Sequence, residues 1–132
     1  MFAPTALAAS VTLSHSFKKF PFTFIKKRDD IFVLKAEGDS MNLAKIGEER
    51  KNIEPGDFVI VDSENTSPRD GDYIVSVIDG MANIKKYLLD KKNSRIALLS
   101  ESTQEYSPIF IHENDDFKIN GKIVDVVKNI KQ

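Results

Sequence analysis

The sequence predicts an all-β fold, a barrel or sandwich of folded β-ribbons, and three observations support this prediction. Short apolar runs rich in Val, Ile, Phe and Tyr recur along the chain at close spacing. Turn-forming stretches such as Pro55-Gly56-Asp57 and Asp79-Gly80 separate these runs. The strand-like runs do not alternate with helical patterns, as they would in a parallel α/β sheet. About seven to nine short strands are therefore expected.

The composition excludes several function classes. With 132 residues the chain is long enough for one core, and 19 basic against 20 acidic side chains give a formal net charge of −1. That balance argues against a nucleic-acid-binding surface as the main function of this segment. The absence of cysteine excludes disulfides and cysteine-ligated zinc. Only two histidines, His15 and His112, occur, so we expect no Ser-His-Asp triad, no metal and no cofactor.

The N-terminal residues differ in character from the remainder, so residues 1–28 are predicted to be an arm and residues 29–132 the folded domain. Phe20, Phe22 and Phe24 alternate among lysines around Pro21, which favours an edge strand flanked by charged residues over an RNA-binding segment. No apolar run is long enough to span a bilayer, and the start lacks the basic region of a signal peptide. We therefore expect a cytoplasmic protein without a membrane partner.

The predicted elements of the domain follow one another closely. Residues 42–54 are polar and mixed, and Leu43, Ile46 and Ile53 could support one helical turn at most. Asp79-Gly80 is the strongest hairpin signal in the chain. The predicted strands are residues 31–36, 58–61, 73–78, 81–89, 95–99, 109–111 and 119–127, the last interrupted by Gly121.

A serine lies where the first of these strands ends. Ser40 follows Gly38, a residue that lets the backbone bend and approach a ligand closely. A serine on such a turn can point its hydroxyl into a groove beside backbone N–H groups that receive an oxyanion. Because a serine needs a base beside it and no suitable histidine is present, the remaining candidate base is a lysine.

A lysine pair in the 81–89 strand could supply that base. Lysine acts as a base only when it is neutral, and burial lowers its pKa from about 10.4. The period of two in a strand places Lys85 and Lys86 on opposite faces, so only one can reach the groove. Periodicity does not say which, and two solvated side chains are the alternative interpretation.

The ordered motifs resemble the LexA/UmuD-type family of self-cleaving Ser–Lys proteins, which includes the C-terminal domains of phage repressors. The resemblance extends from about residue 31 to residue 128. It implies a LexA-like C-terminal peptidase domain of folded β-ribbons with a small barrel-like core. The matching segments are residues 37–41 (Glu-Gly-Asp-Ser-Met), 55–57 (Pro-Gly-Asp), 70–75 (Asp-Gly-Asp-Tyr-Ile-Val), 84–87 (Ile-Lys-Lys-Tyr), 96–102, 106–109 and 121–124.

The resemblance implies a role for each matched residue. Ser40 corresponds to the nucleophile and Lys85, the first lysine of the pair, to the general base. The backbone N–H groups of Ser40 and Met41 would stabilise the oxyanion. The family cuts between a small residue and glycine, whereas no glycine precedes Gly38 here. Ala9-Ser10 is the nearest candidate bond, and a bond upstream of this segment is the alternative.

The resemblance also implies a biological setting. Self-cleavage in this family is stimulated by the RecA–single-stranded DNA filament after DNA damage, in the SOS response, and the domain forms a homodimer. Repressors of the family bind DNA through a separate N-terminal helix-turn-helix domain, for which residues 1–30 show no pattern. The repressor is favoured because the 42–54 stretch is similar to that of phage-type repressors. The alternatives are a UmuD-like accessory protein of error-prone DNA synthesis and a non-cleaving dimerisation module.

Overall fold

The structure, a computed structural model, describes residues 30–129. Their regular structure consists of β-strands and one short 3₁₀ turn at Lys91–Asn93. The strands are β1 (Ile31–Lys35), β2 (Phe58–Asp62), β3 (Tyr73–Ile78), β4 (Met81–Asp90), β5 (Arg95–Leu99), β6 (Ile109–Ile111) and β7 (Phe117–Val127). The all-β prediction is therefore confirmed.

The seven strands form one antiparallel sheet in the order β1-β2-β7-β3-β4-β5-β6. The last strand, β7, lies between β2 and β3 and pairs with both. It therefore joins the first ribbon, β1-β2, to the meander formed by β3 to β6. β1 and β4 are not neighbours in this order, but residues 34–36, at and just after the end of β1, and residues 82–85 of β4 line the same groove.

The hairpin predicted at Asp79-Gly80 is confirmed by the β3–β4 register. Ile78 pairs directly with Met81, so the loop has two residues. Both Asp79 and Gly80 have positive φ angles, 51° and 81°. Two consecutive positive φ angles match the right-handed twist of the flanking strands, which is why Asp-Gly is favoured there.

Some strand bounds differ from the sequence prediction. β1 ends at Lys35, because the backbone of Ala36 bonds to Asp57 and Gly56 in the next turn instead of continuing the β1–β2 ladder. β7 begins at Phe117, two residues earlier than predicted, because Phe117 and Lys118 pair with the end of β3. The strand predicted around Phe20–Phe24 lies outside the described residues.

The 42–54 segment forms a tight reversal without a helix, in which Ile46 and Lys51 pair as an isolated bridge. It covers one face of the sheet, where Ala44, Ile46 and Ile53 are buried against Val59 and Val75. Leu43 is 51% exposed and contributes little to this core. A second cluster, around Ile74, Tyr87, Leu98 and Ile111, is built on β3 to β6.

Candidate active site

Ser40 lies in the turn that follows β1, beside the buried face of the sheet. Gly38 has a φ of 76°, and a Cβ placed there would meet no atom within 4 Å, so the backbone angle is what favours glycine. Met41 is only 3% exposed, and its carbonyl accepts hydrogen bonds from the N–H groups of Ala44 and Ile53. The turn is therefore anchored by Met41 while Ser40 remains partly exposed.

Lys85 extends from β4 toward this turn. It pairs with Ile74 of β3, and its Nζ atom is 3.0 Å from the Ser40 Oγ atom, within hydrogen-bond distance. Burial lowers the pKa of Lys85 below its ordinary value of 10.5, because the ammonium form loses its hydration. The structure thus brings together the two side chains that the sequence analysis nominated, 45 residues apart.

Lys86 has a different environment from its neighbour. Its ammonium donates to the Glu101 carboxylate at 2.8 Å and lies 5.8 Å from the centre of the Tyr73 ring. This hydrogen bond raises the pKa of Lys86, and the attraction of the carboxylate outweighs the opposing effect of burial. At neutral pH Lys86 is therefore a paired cation, whereas Lys85 contacts a hydroxyl.

A groove of about 190 Å³ runs past the Ser40 hydroxyl. Apolar side chains from β1, the Ser40 turn, β3 and β4 form much of its wall, and polar residues also line it. Such a groove could receive an extended peptide segment beside the serine. Its lining residues are Leu34, Lys35, Ala36, Glu37, Gly38, Ser40, Met41, Ile53, Val75, Ala82, Asn83, Ile84 and Lys85.

The loop between β5 and β6 forms hydrogen bonds with the Ser40 turn. The Glu101 N–H donates to the Ser40 carbonyl at 3.0 Å, and the Ser102 hydroxyl donates to the Asp39 carbonyl at 2.7 Å. The Tyr106 hydroxyl donates to the Asp39 carboxylate, which raises the pKa of Tyr106. These residues were missed as site residues, since the only signal for them was the position of residues 96–102 and 106–109 within the motif series.

Four further expectations concern the oxyanion donors, metal binding, membrane spanning and the scissile bond. Within residues 30–129 no hydrogen bond is donated by the N–H group of Ser40 or of Met41. In the same range, no cluster of three or more His, Asp or Glu side chains could hold a metal ion. None of the helices in the described chain has the length and apolarity needed to cross a bilayer. Ala9 and Ser10 lie outside the described residues.

Comparison with known proteins gives this geometry a family context. The sequence model of the Peptidase S24-like family matches residues 5–124. The LexA repressor of Clostridium perfringens is 33% identical over 110 residues, which cover 83% of this chain and 47% of that protein. The LexA repressor of Carboxydothermus hydrogenoformans is 31% identical over 99 residues, which cover 75% and 43%.

The LexA repressor of Syntrophotalea carbinolica is 33% identical over 100 residues, which cover 76% of this chain and 44% of that protein. The chain thus spans about half the length of the curated relatives it matches. The all-β sheet and the family match over most of the chain both agree with the family that the sequence motifs resemble. The chain belongs to the Peptidase S24-like family and is a peptidase domain of the LexA/UmuD type.

Proposed function

We propose that this chain is the self-cleaving serine peptidase domain of a transcriptional repressor and that it hydrolyses its own N-terminal arm. The observation that carries the proposal is the 3.0 Å contact between Lys85 Nζ and Ser40 Oγ, combined with the lowered pKa of Lys85. A desolvated lysine in contact with a serine hydroxyl has the arrangement of a general base and its nucleophile.

In the first step, neutral Lys85 accepts the Ser40 hydroxyl proton while Ser40 Oγ attacks the carbonyl carbon of the scissile peptide bond. The carbonyl electron pair moves onto oxygen, and the resulting oxyanion accepts hydrogen bonds from the N–H groups of Ser40 and Met41. Removing one such donor from an enzyme of this type costs roughly 10²- to 10³-fold in rate. The oxyanion site is therefore a major part of the catalysis.

In the second step, the Lys85 ammonium gives its proton to the leaving amine, and the peptide C–N bond breaks. An ester between Ser40 and the carbonyl fragment remains. Lys85, now neutral again, removes a proton from a water molecule that attacks this ester. The ester C–O bond then breaks, the carbonyl fragment leaves as a carboxylic acid, and the Lys85 ammonium returns its proton to Ser40 Oγ. The same lysine thus serves as base and then as acid in each of the two half-reactions.

The proposed substrate is the Ala9-Ser10 bond, in the segment Leu7-Ala8-Ala9-Ser10-Val11. Its small side chains suit a groove whose wall includes the apolar side chains of Met41, Ile53 and Ile84. The arm, residues 1–28, and the domain, residues 29–132, would then be the substrate and the enzyme of one chain.

The repressor setting is proposed because the matched relatives are LexA repressors, whereas a UmuD-like accessory protein remains the alternative. We propose that the domain acts in the cytoplasm as a homodimer, with the RecA–single-stranded DNA filament as inducer. DNA would be bound by a separate N-terminal domain. The contact between Ser40 and Lys85 favours cleavage over a dimerisation module without activity.

The test is incubation of the purified protein at alkaline pH, with and without RecA filament, followed by mass spectrometry. The wild-type protein is expected to lose its first nine residues. Ser40→Ala and Lys85→Ala are expected to remain intact, whereas Lys86→Ala retains measurable cleavage. An intact wild-type protein, or a Ser40→Ala variant that still cleaves, would overturn the proposal.

A further inference from the structure

The residues after β5 hold the Ser40 turn through hydrogen bonds from several positions. Besides the bonds of Glu101 and Ser102 already described, the Leu43 N–H donates to the Glu101 carbonyl at 2.9 Å. Glu101 therefore both donates to and accepts from the turn through its main chain. The distance between Ser40 Oγ and Lys85 therefore stays constant only if the main chain at Glu101 does not move.

The Glu101 side chain provides such a fixed point. Its carboxylate accepts from Lys86 Nζ at 2.8 Å and from the Tyr73 hydroxyl at 2.5 Å. The Tyr73 oxygen in turn accepts from the Lys45 N–H at 3.1 Å, so the network returns to the residues that follow Ser40. One partly buried carboxylate therefore connects β3, β4 and the Ser40–Lys45 segment.

The ionisation of these groups strengthens the network. Burial by itself raises the pKa of Glu101, but the hydrogen bonds from Lys86 and Tyr73 outweigh this effect and lower the pKa of Glu101. Glu101 is consequently an anion at neutral pH and faces the cation of Lys86. Hydrogen bonds to an ionised acceptor are about twice as strong as neutral ones.

We propose that Glu101 is a positioning residue that keeps Ser40 within reach of Lys85, through its bonds to Lys86, to Tyr73 and to the Ser40 turn. This inference rests on the proposed function, since it concerns the rate of the same cleavage. Lys85 and Lys86 are neighbours on β4, so the ion pair anchors the nucleophile to the strand that carries the base. A displacement of the nucleophile of about 1 Å can slow a reaction about 100-fold.

The test compares self-cleavage rates across a pH series for Glu101→Gln, Lys86→Met, Lys86→Arg and Tyr73→Phe. Glu101→Gln and Lys86→Met are each expected to slow cleavage about tenfold at every pH, without moving the pH midpoint of the rate. The midpoint stays because neither residue touches Lys85 Nζ. Lys86→Arg preserves the ion pair, so it is expected to keep most of the wild-type rate that Lys86→Met loses. Tyr73→Phe, which loses one anchor, slows cleavage several-fold.

A double-variant cycle separates positioning from general stability. Because Glu101 and Lys86 act through the same contact, the Glu101→Gln/Lys86→Met protein should cleave no more slowly than either single variant. The matched control is Asp90→Asn, which breaks the similarly buried Arg95–Asp90 pair away from the groove and should leave the rate unchanged. Urea unfolding of every variant measures its stability.

The outcomes distinguish the two proposals. A wild-type protein that never cleaves would overturn the peptidase proposal and this inference together. A wild-type protein that cleaves, with Glu101→Gln equally fast, would overturn the inference alone. A Glu101→Gln rate that falls only in proportion to lost stability, or that equals that of Asp90→Asn, would also overturn it.

Discussion

Two adjacent lysines on one strand have different environments because their side chains point to opposite faces. Lys85 lies against the Ser40 hydroxyl, and burial lowers its pKa. Lys86 bonds to Glu101, and that hydrogen bond raises its pKa. The surroundings of each lysine, and not its residue type, therefore set the direction in which its pKa shifts.

The lowered pKa of Lys85 predicts how self-cleavage depends on pH. An amine is neutral above its pKa, so the rate should rise about tenfold per pH unit and then level off. Because the pKa is lowered, the midpoint should lie below the ordinary lysine value of 10.5. Gel or mass-spectrometric time courses across the pH range give this profile.

The control for this profile is the circular dichroism spectrum at each pH, which shows that the sheet remains folded. A rate that does not rise with pH anywhere below 10.5 would contradict the assignment of a lysine base with a lowered pKa.

At the scale of elements, β7 is the strand whose pairing is most irregular. It pairs with β2 and β3 on its two sides, and the register shifts once against each. Gly121 lies opposite Val75 in this region, with a φ of 156°. A Cβ at this position would be 2.6 Å from the Asp62 carbonyl oxygen and from a Val61 methyl group.

This close approach predicts that Gly121→Ala destabilises the sheet by about 2–3 kcal/mol, because the backbone of β2 would have to move. Urea unfolding measures the effect. Gly71→Ala is the matched control, since Gly71 also has a positive φ, 94°, but open space around the position of a Cβ. It should cost about 1 kcal/mol. Equal losses in the two variants would show that the close approach does not matter.

At the scale of the whole molecule, Asp57 joins the segment before β2 to the residues after β7. Its side chain is 3% exposed and accepts from the N–H groups of Glu54 and Asn129 and from the Lys128 ammonium. Burial raises the pKa of Asp57, but these hydrogen bonds together outweigh it and leave the pKa below 3.8. One carboxylate thus connects chain segments more than 70 residues apart.

The sign of this shift predicts acid sensitivity. A carboxyl group with a lowered pKa stabilises the folded state above pH 3.8, and that contribution is lost as the pH falls through the folded-state value. Asp57→Asn should lose about 3 kcal/mol at neutral pH, since the buried side chain then faces the Lys128 ammonium and two N–H groups without its negative charge. Its stability should then change less in acid than that of the wild type.

Urea unfolding at neutral and acidic pH makes this comparison. Lys128→Met is the comparison: its side chain is 39% exposed, and the N–H groups of Glu54 and Asn129 still bond to the carboxylate, so it should cost less than Asp57→Asn. If Asp57→Asn proves as stable as the wild-type protein at neutral pH, the carboxylate does not join the two segments as inferred.

The sequence by itself determined the features that depend on neighbouring residues. Alternation of apolar side chains indicated the strands, and Asp79-Gly80 indicated the two-residue hairpin, because both depend on local backbone geometry. The motif series pointed to Ser40 and Lys85, and the period of two placed Lys85 and Lys86 on opposite faces. Neither period nor spacing could say which lysine meets Ser40.

Only the tertiary structure decided how distant residues combine. The position of β7 between β2 and β3, the bonds of Glu101 to the Ser40 turn and the burial of Asp57 all depend on antiparallel pairing between remote segments. The pKa shifts of Lys85 and Lys86 likewise arise from contacts across the fold. Local patterns specify the strands, whereas the environment of each charged group is set by which strands become neighbours.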